Sequence, residues 1–233
     1  MHWQSYDSYQ SLSTHAAQTL LQSIRDNPRI VVGLPTGRTP VGMYERVVAE
    51  CSREYTCFRD VVAFNLDEYA GVSCDHPGSY CMYMRHHLFD HVDIDMKNAH
   101  IPDGTASDLD AECDRYEQSI AEAGGLGITF LGLGQNGHIG FNEPGTPFTS
   151  RTRVVELTHS TRLANAGLFE GGRVPERAIT IGIATILDSK RIVVLASGDS
   201  KREAIARLRS GEVSEEFPAS ALHKHDNVIV LTT

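Results

Sequence analysis

A chain of 233 residues with 41% apolar and 22% charged residues has enough apolar material for a buried core, which sets it apart from disordered and fibrous sequences. Its formal charge of -9, without any Lys/Arg-rich block, argues against a nucleic-acid partner, because nucleic-acid-binding surfaces are basic. No run approaches the ~20 consecutive apolar residues of a spanning helix, and the start of the chain lacks the regions of a secretory signal, so no membrane partner and a cytoplasmic location are expected.

In chain order, Leu12, Ala16, Leu20 and Ile24 recur near helical spacing between a cap at Ser11 or Ser13 and the breaker Pro28, which predicts an amphipathic helix. Residues 30–34 form a continuous apolar run, as in a strand buried on both faces. A Gly/Pro turn follows, then a helix over 41–51. Further strands are predicted at 61–65, 128–133, 191–196 and 228–231, separated by helical stretches around 79–91, 107–123 and 201–209. This alternation predicts an α/β fold: a wound, mainly parallel sheet with helices on both faces, in one domain over 1–233. The irregular stretch at about 144–177 reads as either a lid over a site or a surface excursion. The five cysteines (Cys51, Cys57, Cys74, Cys81, Cys113) are odd in number and lack a C-x-x-C pair, so they are expected to be reduced thiols.

In wound sheets a ligand sits beyond the carboxyl ends of the strands. The first such turn, Thr36, Gly37, Arg38 and Thr39 between two prolines, offers free amides at a helix start and suits a phosphate, with Arg38 adding charge. The second strand runs into Asp67 and Glu68, adjacent acids of which one can easily face the site. After the third comes a glycine-dense turn in which His138 and Glu143, five apart, can curl together as a base and the carboxylate that orients it. Another Gly/Ser turn leads to Lys201, a cation in a first helical turn that normally disfavours one. No histidine spacing suits a metal, and none is expected.

The runs G-L-P-T-G-R-T-P at 33–40, F-N-L-D-E-Y at 64–69, G-Q-N-G-H-I-G-F-N-E-P at 134–144 and S-R-T-R-V-V-E-L-T at 150–158 resemble, in this order, the glucosamine-6-phosphate deaminase family. The resemblance extends from the first strand to about Lys201. It implies a modified Rossmann-like fold and isomerisation of an amino-sugar phosphate with loss of its amine, without cofactor or metal. Carried over by position, it implies that His138 opens the sugar ring, that Asn136 and Glu143 hold the imidazole, and that Asp67 moves a proton from C2 to C1. Thr36 to Thr39 and Lys201 would hold the phosphate.

Three departures stand out. Some members carry aspartate at the position of Asn136. Many place a phosphate-binding arginine where this chain has Gly167, and either Arg38 or Arg162 is expected to supply that charge. Allosterically controlled members are longer and carry a lysine near the position of Val155, so a monomer or small homo-oligomer is expected here. Alternatives are the galactosamine 6-phosphate enzyme, a 6-phosphogluconolactonase, and a non-catalytic sugar-phosphate sensor.

Overall fold

The computed structural model describes residues 1–53 and 58–233. The chain begins with strand β1 (His2–Ser5), helix α1 (Tyr9–Asp26), β2 (Val31–Leu34), α2 (Val41–Cys51), β3 (Val62–Asn65) and β4 (Asp67–Tyr69). There follow α3 (Tyr80–His87), β5 (Ala99–His100), α4 (Leu109–Glu122), β6 (Ile128–Gly132), β7 (Arg153–Glu156) and α5 (His159–Asn165). The remainder is β8 (Arg177–Thr180), α6 (Ile183–Leu187), β9 (Ile192–Ala196), α7 (Arg202–Arg209) and β10 (Val228–Thr232).

Seven strands form one sheet in the order β1-β10-β9-β6-β2-β3-β5, and every pair in it is parallel. Successive residues along a strand face opposite sides, so one apolar run serves two cores. Val32, Leu34, Phe130, Val193, Leu195 and Leu231 pack with Leu12, Ala16, Leu20 and Ile24 of α1, with Met43 of α2 and with Met84 of α3. On the other face Val31, Leu131, Val194 and Val230 meet Tyr116 of α4, Ile186 of α6 and Leu208 of α7. The sheet is therefore wound, with helices on both faces.

A second sheet is antiparallel, in the order β4-β8-β7. It runs through the stretch expected to be irregular, which holds β7, α5 and the start of β8. A third apolar cluster, including Tyr69, Tyr80, Phe141, Leu157 and Phe169, joins this sheet to α3.

Two expectations are corrected. The first helix starts a turn earlier than Ser11, because the side chain of Ser8 accepts from the Ser11 amide. Cys74 and Cys81 are joined as a disulfide with Cα atoms 5.1 Å apart, not kept as thiols. Two consecutive turns, His76 N to Ser73 O and Ser79 N to His76 O, fold the segment back against the start of α3 and bring the two cysteines together. No sequence spacing announces such a loop. Cys113 is a buried thiol, and Cys57 lies outside the described residues.

Candidate active site

From β2 the chain builds outward to β3 and β5, and later through β6 to β9 and β10 on the other side. The order reverses between β2 and β6, which is where the ligand crevice of a wound sheet lies. The turns that follow these two strands are 35–40 and 133–143, and the neighbouring strands β3 and β9 exit at Asp67 and at 197–201.

In the turn after β2, the backbone amides of Thr36, Gly37, Arg38 and Thr39 donate to no protein atom among the described residues. Gly37 has a φ of 98°, a conformation that glycine adopts freely. Arg38 is exposed and Thr36 partly buried. Consecutive undirected amides at the start of α2 form a cradle for an anion.

Asp67 is 5% exposed, and its Oδ2 lies 3.4 Å from where a Cβ on Gly140 would stand. The turn carrying His138 is thus folded over Asp67. Burial, and then the neighbouring charge of Glu68, push Asp67 up to about 8. Glu68 turns the other way and accepts from the amides of Tyr69, Tyr80 and Cys81 at 2.8, 3.0 and 2.9 Å. Burial pushes Glu68 up to about 7, against the pull of those amides. The two acids point apart: Asp67 lies under the turn carrying His138, and Glu68 holds the first turn of α3.

The imidazole of His138 lies against Gly134, where a Cβ would overlap the ring. Its Nδ1 is 2.7 Å from Asn136 Oδ1, and Asn136 Nδ2 donates to Glu143 Oε2 at 2.7 Å. An amide oxygen only accepts, so Nδ1 carries the proton and Nε2 keeps the free lone pair. Glu143 Oε2 itself is 3.7 Å from Nδ1, and its Oε1 accepts from Thr161 Oγ1 of α5 at 2.5 Å. The pairing expected between His138 and Glu143 therefore runs mainly through Asn136. Burial lowers the pKa of His138, Glu143 draws it back up, and Lys201 lowers it. Burial also lowers the pKa of Lys201.

Arg162 Nη1 is 3.5 Å from Glu176 Oε1, while its buried Nε has no partner among the described residues. A Cβ on Gly167 would meet nothing within 4 Å. Sequence reasoning named Glu68 only as the neighbour of Asp67 and passed over Thr161 and Tyr80, whose phenol meets that of Tyr69 at 3.1 Å. Among the described residues no cluster of His, Cys, Asp and Glu could hold a metal ion.

A family profile described as glucosamine-6-phosphate isomerases/6-phosphogluconolactonase matches residues 4–231. A glucosamine-6-phosphate deaminase of Bacillus velezensis is 51% identical over 96% of this chain and 93% of its own length. Glucosamine-6-phosphate deaminase 1 of Bacillus subtilis is 50% identical at the same two coverages, 96% and 93%. The solved structure of a monomeric glucosamine-6-phosphate deaminase superposes with a TM-score of 0.97 at 48% identity, covering 100% of this chain and 97% of that one. A 6-phosphogluconolactonase from Thermotoga maritima, with a TM-score of 0.76 at 18% identity over 100% of this chain and 99% of its own, shares the fold.

Proposed function

Because the chain belongs to the family of glucosamine-6-phosphate isomerases and 6-phosphogluconolactonases, we infer that it converts glucosamine 6-phosphate and water into fructose 6-phosphate and ammonia. The observation that supports this reading is proximity: the turn carrying His138 lies against Asp67, Tyr80 hydrogen-bonds Thr36 within reach of the Asp67 charge, and Lys201 acts on His138.

The phosphate binds the amides and hydroxyls of Thr36 to Thr39, with Lys201 as its cation, and this remote contact orients the reacting end. Nε2 of His138 takes the proton of the C1 hydroxyl and returns it to the ring oxygen, which opens the sugar. Asp67 then removes the proton at C2, giving an enolamine, and delivers it to C1. Water adds to the resulting imine carbon at C2, and ammonia leaves. Two acceptors are needed because the two protons lie in different places. Pushed up to about 8, Asp67 favours its protonated form near neutrality, and the ammonium of the incoming substrate favours the carboxylate. Residues 144–177 act as the lid, since Thr161 of α5 reaches Glu143. Arg38, exposed on the phosphate turn, supplies the charge that Gly167 lacks. The enzyme works in the cytoplasm as a monomer, a reading supported by its likeness to the monomeric deaminase. No helix among the described residues is long and apolar enough to cross a membrane.

The test is ammonia release from glucosamine 6-phosphate and from galactosamine 6-phosphate, with Asp67→Asn and His138→Gln as controls. The first substrate should be preferred, and each substitution should lower kcat by about a hundredfold or more, as loss of a general acid-base group does. Absence of ammonia from both substrates, or a fully active Asp67→Asn enzyme, would refute the assignment.

A further inference from the structure

Three tyrosines from three different helices end on the phosphate turn. Tyr44 Oη donates to Pro35 O at 2.6 Å, Tyr83 Oη to Gly37 O at 2.6 Å, and Tyr9 Oη to Thr39 O at 3.0 Å. The acceptors are alternate carbonyls of one turn. Tyr9 also accepts from the Gly42 amide at 2.7 Å, and Gly42 has room for this because a Cβ there would stand 2.9 Å from that same hydroxyl. The rings of Tyr44 and Tyr83 meet edge to face with centroids 6.4 Å apart, so their hydroxyls are held jointly.

A trans peptide is planar, with its C=O and the following N–H pointing opposite ways. Drawing the Pro35 carbonyl toward Tyr44 therefore turns the Thr36 amide away from Tyr44. Drawing the Gly37 carbonyl toward Tyr83 does the same for the Arg38 amide. Pro40 has no amide, and at Thr39 the tyrosine instead fastens the end of the turn to the start of α2. The amides so directed are the ones without a protein partner. A turn with glycine at its centre has no intrinsic reason to keep that arrangement. The constraint comes from outside it.

We propose that Tyr9, Tyr44 and Tyr83 are positioning residues that hold the 36–39 amides in their anion-binding orientation. This rests on the sugar-phosphate reading of the crevice. The three hydroxyls touch carbonyls, not substrate, so their contribution lies in phosphate affinity.

The experiment compares Tyr83→Phe, Tyr44→Phe and Tyr9→Phe with Tyr6→Phe, whose hydroxyl bonds Gln4 Oε1 instead of the turn. Measured are kcat and KM for glucosamine 6-phosphate, and the inhibition constant of inorganic phosphate. Each clamp variant should raise KM and the phosphate constant together, by about threefold to tenfold for one hydrogen bond, with kcat within about threefold of the parent. Tyr6→Phe should move none of them. Unchanged phosphate and substrate constants in Tyr83→Phe would overturn the proposal. So would a fall in kcat at constant KM. Tyr83 is only partly buried, so its variant decides the matter even if Tyr44→Phe does not fold. If the parent enzyme released no ammonia, the reaction would be wrong, while phosphate binding by calorimetry would still test the clamp separately.

Discussion

At Gly167 a side chain would enter open space, and the residue does not have a positive φ, so an arginine can be placed there without moving the backbone. If Arg38 stands in for the arginine that many relatives carry at that position, the two cations should substitute for one another. Arg38→Ala should raise KM about fivefold, the size of a partly solvated charged hydrogen bond of about 1 kcal/mol. Gly167→Arg should lower KM by a similar factor and should blunt the effect of Arg38→Ala. Steady-state kinetics on the two single variants and the double variant measure that coupling. An unchanged KM in Arg38→Ala removes Arg38 from the site and leaves Arg162 as the candidate, whose Nε is buried without a partner. At this scale the sequence showed which residue types share the crevice, but not their wiring. Asn136 between His138 and Glu143 is a matter of side-chain direction, and the tyrosines lie up to 46 positions from the carbonyls they hold.

At the scale of elements, β4 and α3 are coupled through one carboxylate. Glu68 accepts three amides, two of them from the first turn of α3, where a negative charge is favoured by the helix dipole. Its charge also raises the pKa of Asp67, one position away. Glu68→Gln removes that charge, so Asp67 should titrate below about 8 and the rising limb of kcat/KM against pH should move to lower pH. The same change presents an amide donor to amide donors and should cost about 1–3 kcal/mol of stability. A limb that stays in place would show that Asp67 does not set it. Such coupling was illegible because β4 has three residues and pairs with β8, more than 100 positions later. The main sheet was legible for the opposite reason. Its strands are buried on both faces and read as apolar runs, and α1 repeats its apolar positions with the helical period. β1, His2–Ser5, has no such run and is recognisable only once β10 is there to pair with it.

For the whole molecule, the site sets the direction in which stability changes with pH. Asp67 moves from 3.8 to about 8 and Glu68 from 4.5 to about 7, so between these limits the folded protein keeps protons that the unfolded chain has released. Stability follows the difference in bound protons, unfolded minus folded, which is negative here, so it falls as pH rises through the folded values. The part-buried histidines act in the opposite sense. His138, His100 and His87 are lowered from 6.5, so their contribution is lost as pH falls below that value. The unfolding temperature should therefore peak on the acid side of neutrality and decline from about pH 6.5 to 9. One retained proton corresponds to a slope of about 1.4 kcal/mol per pH unit. Asp67→Asn keeps the shape and has no charge to release, so calorimetry at the two pH values should show a shallower decline in that variant. The repulsion from a net charge of -9 is nearly common to both proteins and cancels in the comparison. Equal slopes would mean that Asp67 is already ionised near neutrality. In that case the carboxylate would not need the substrate's ammonium to become a base, and the stability lost to its burial would have to be offset elsewhere in the fold.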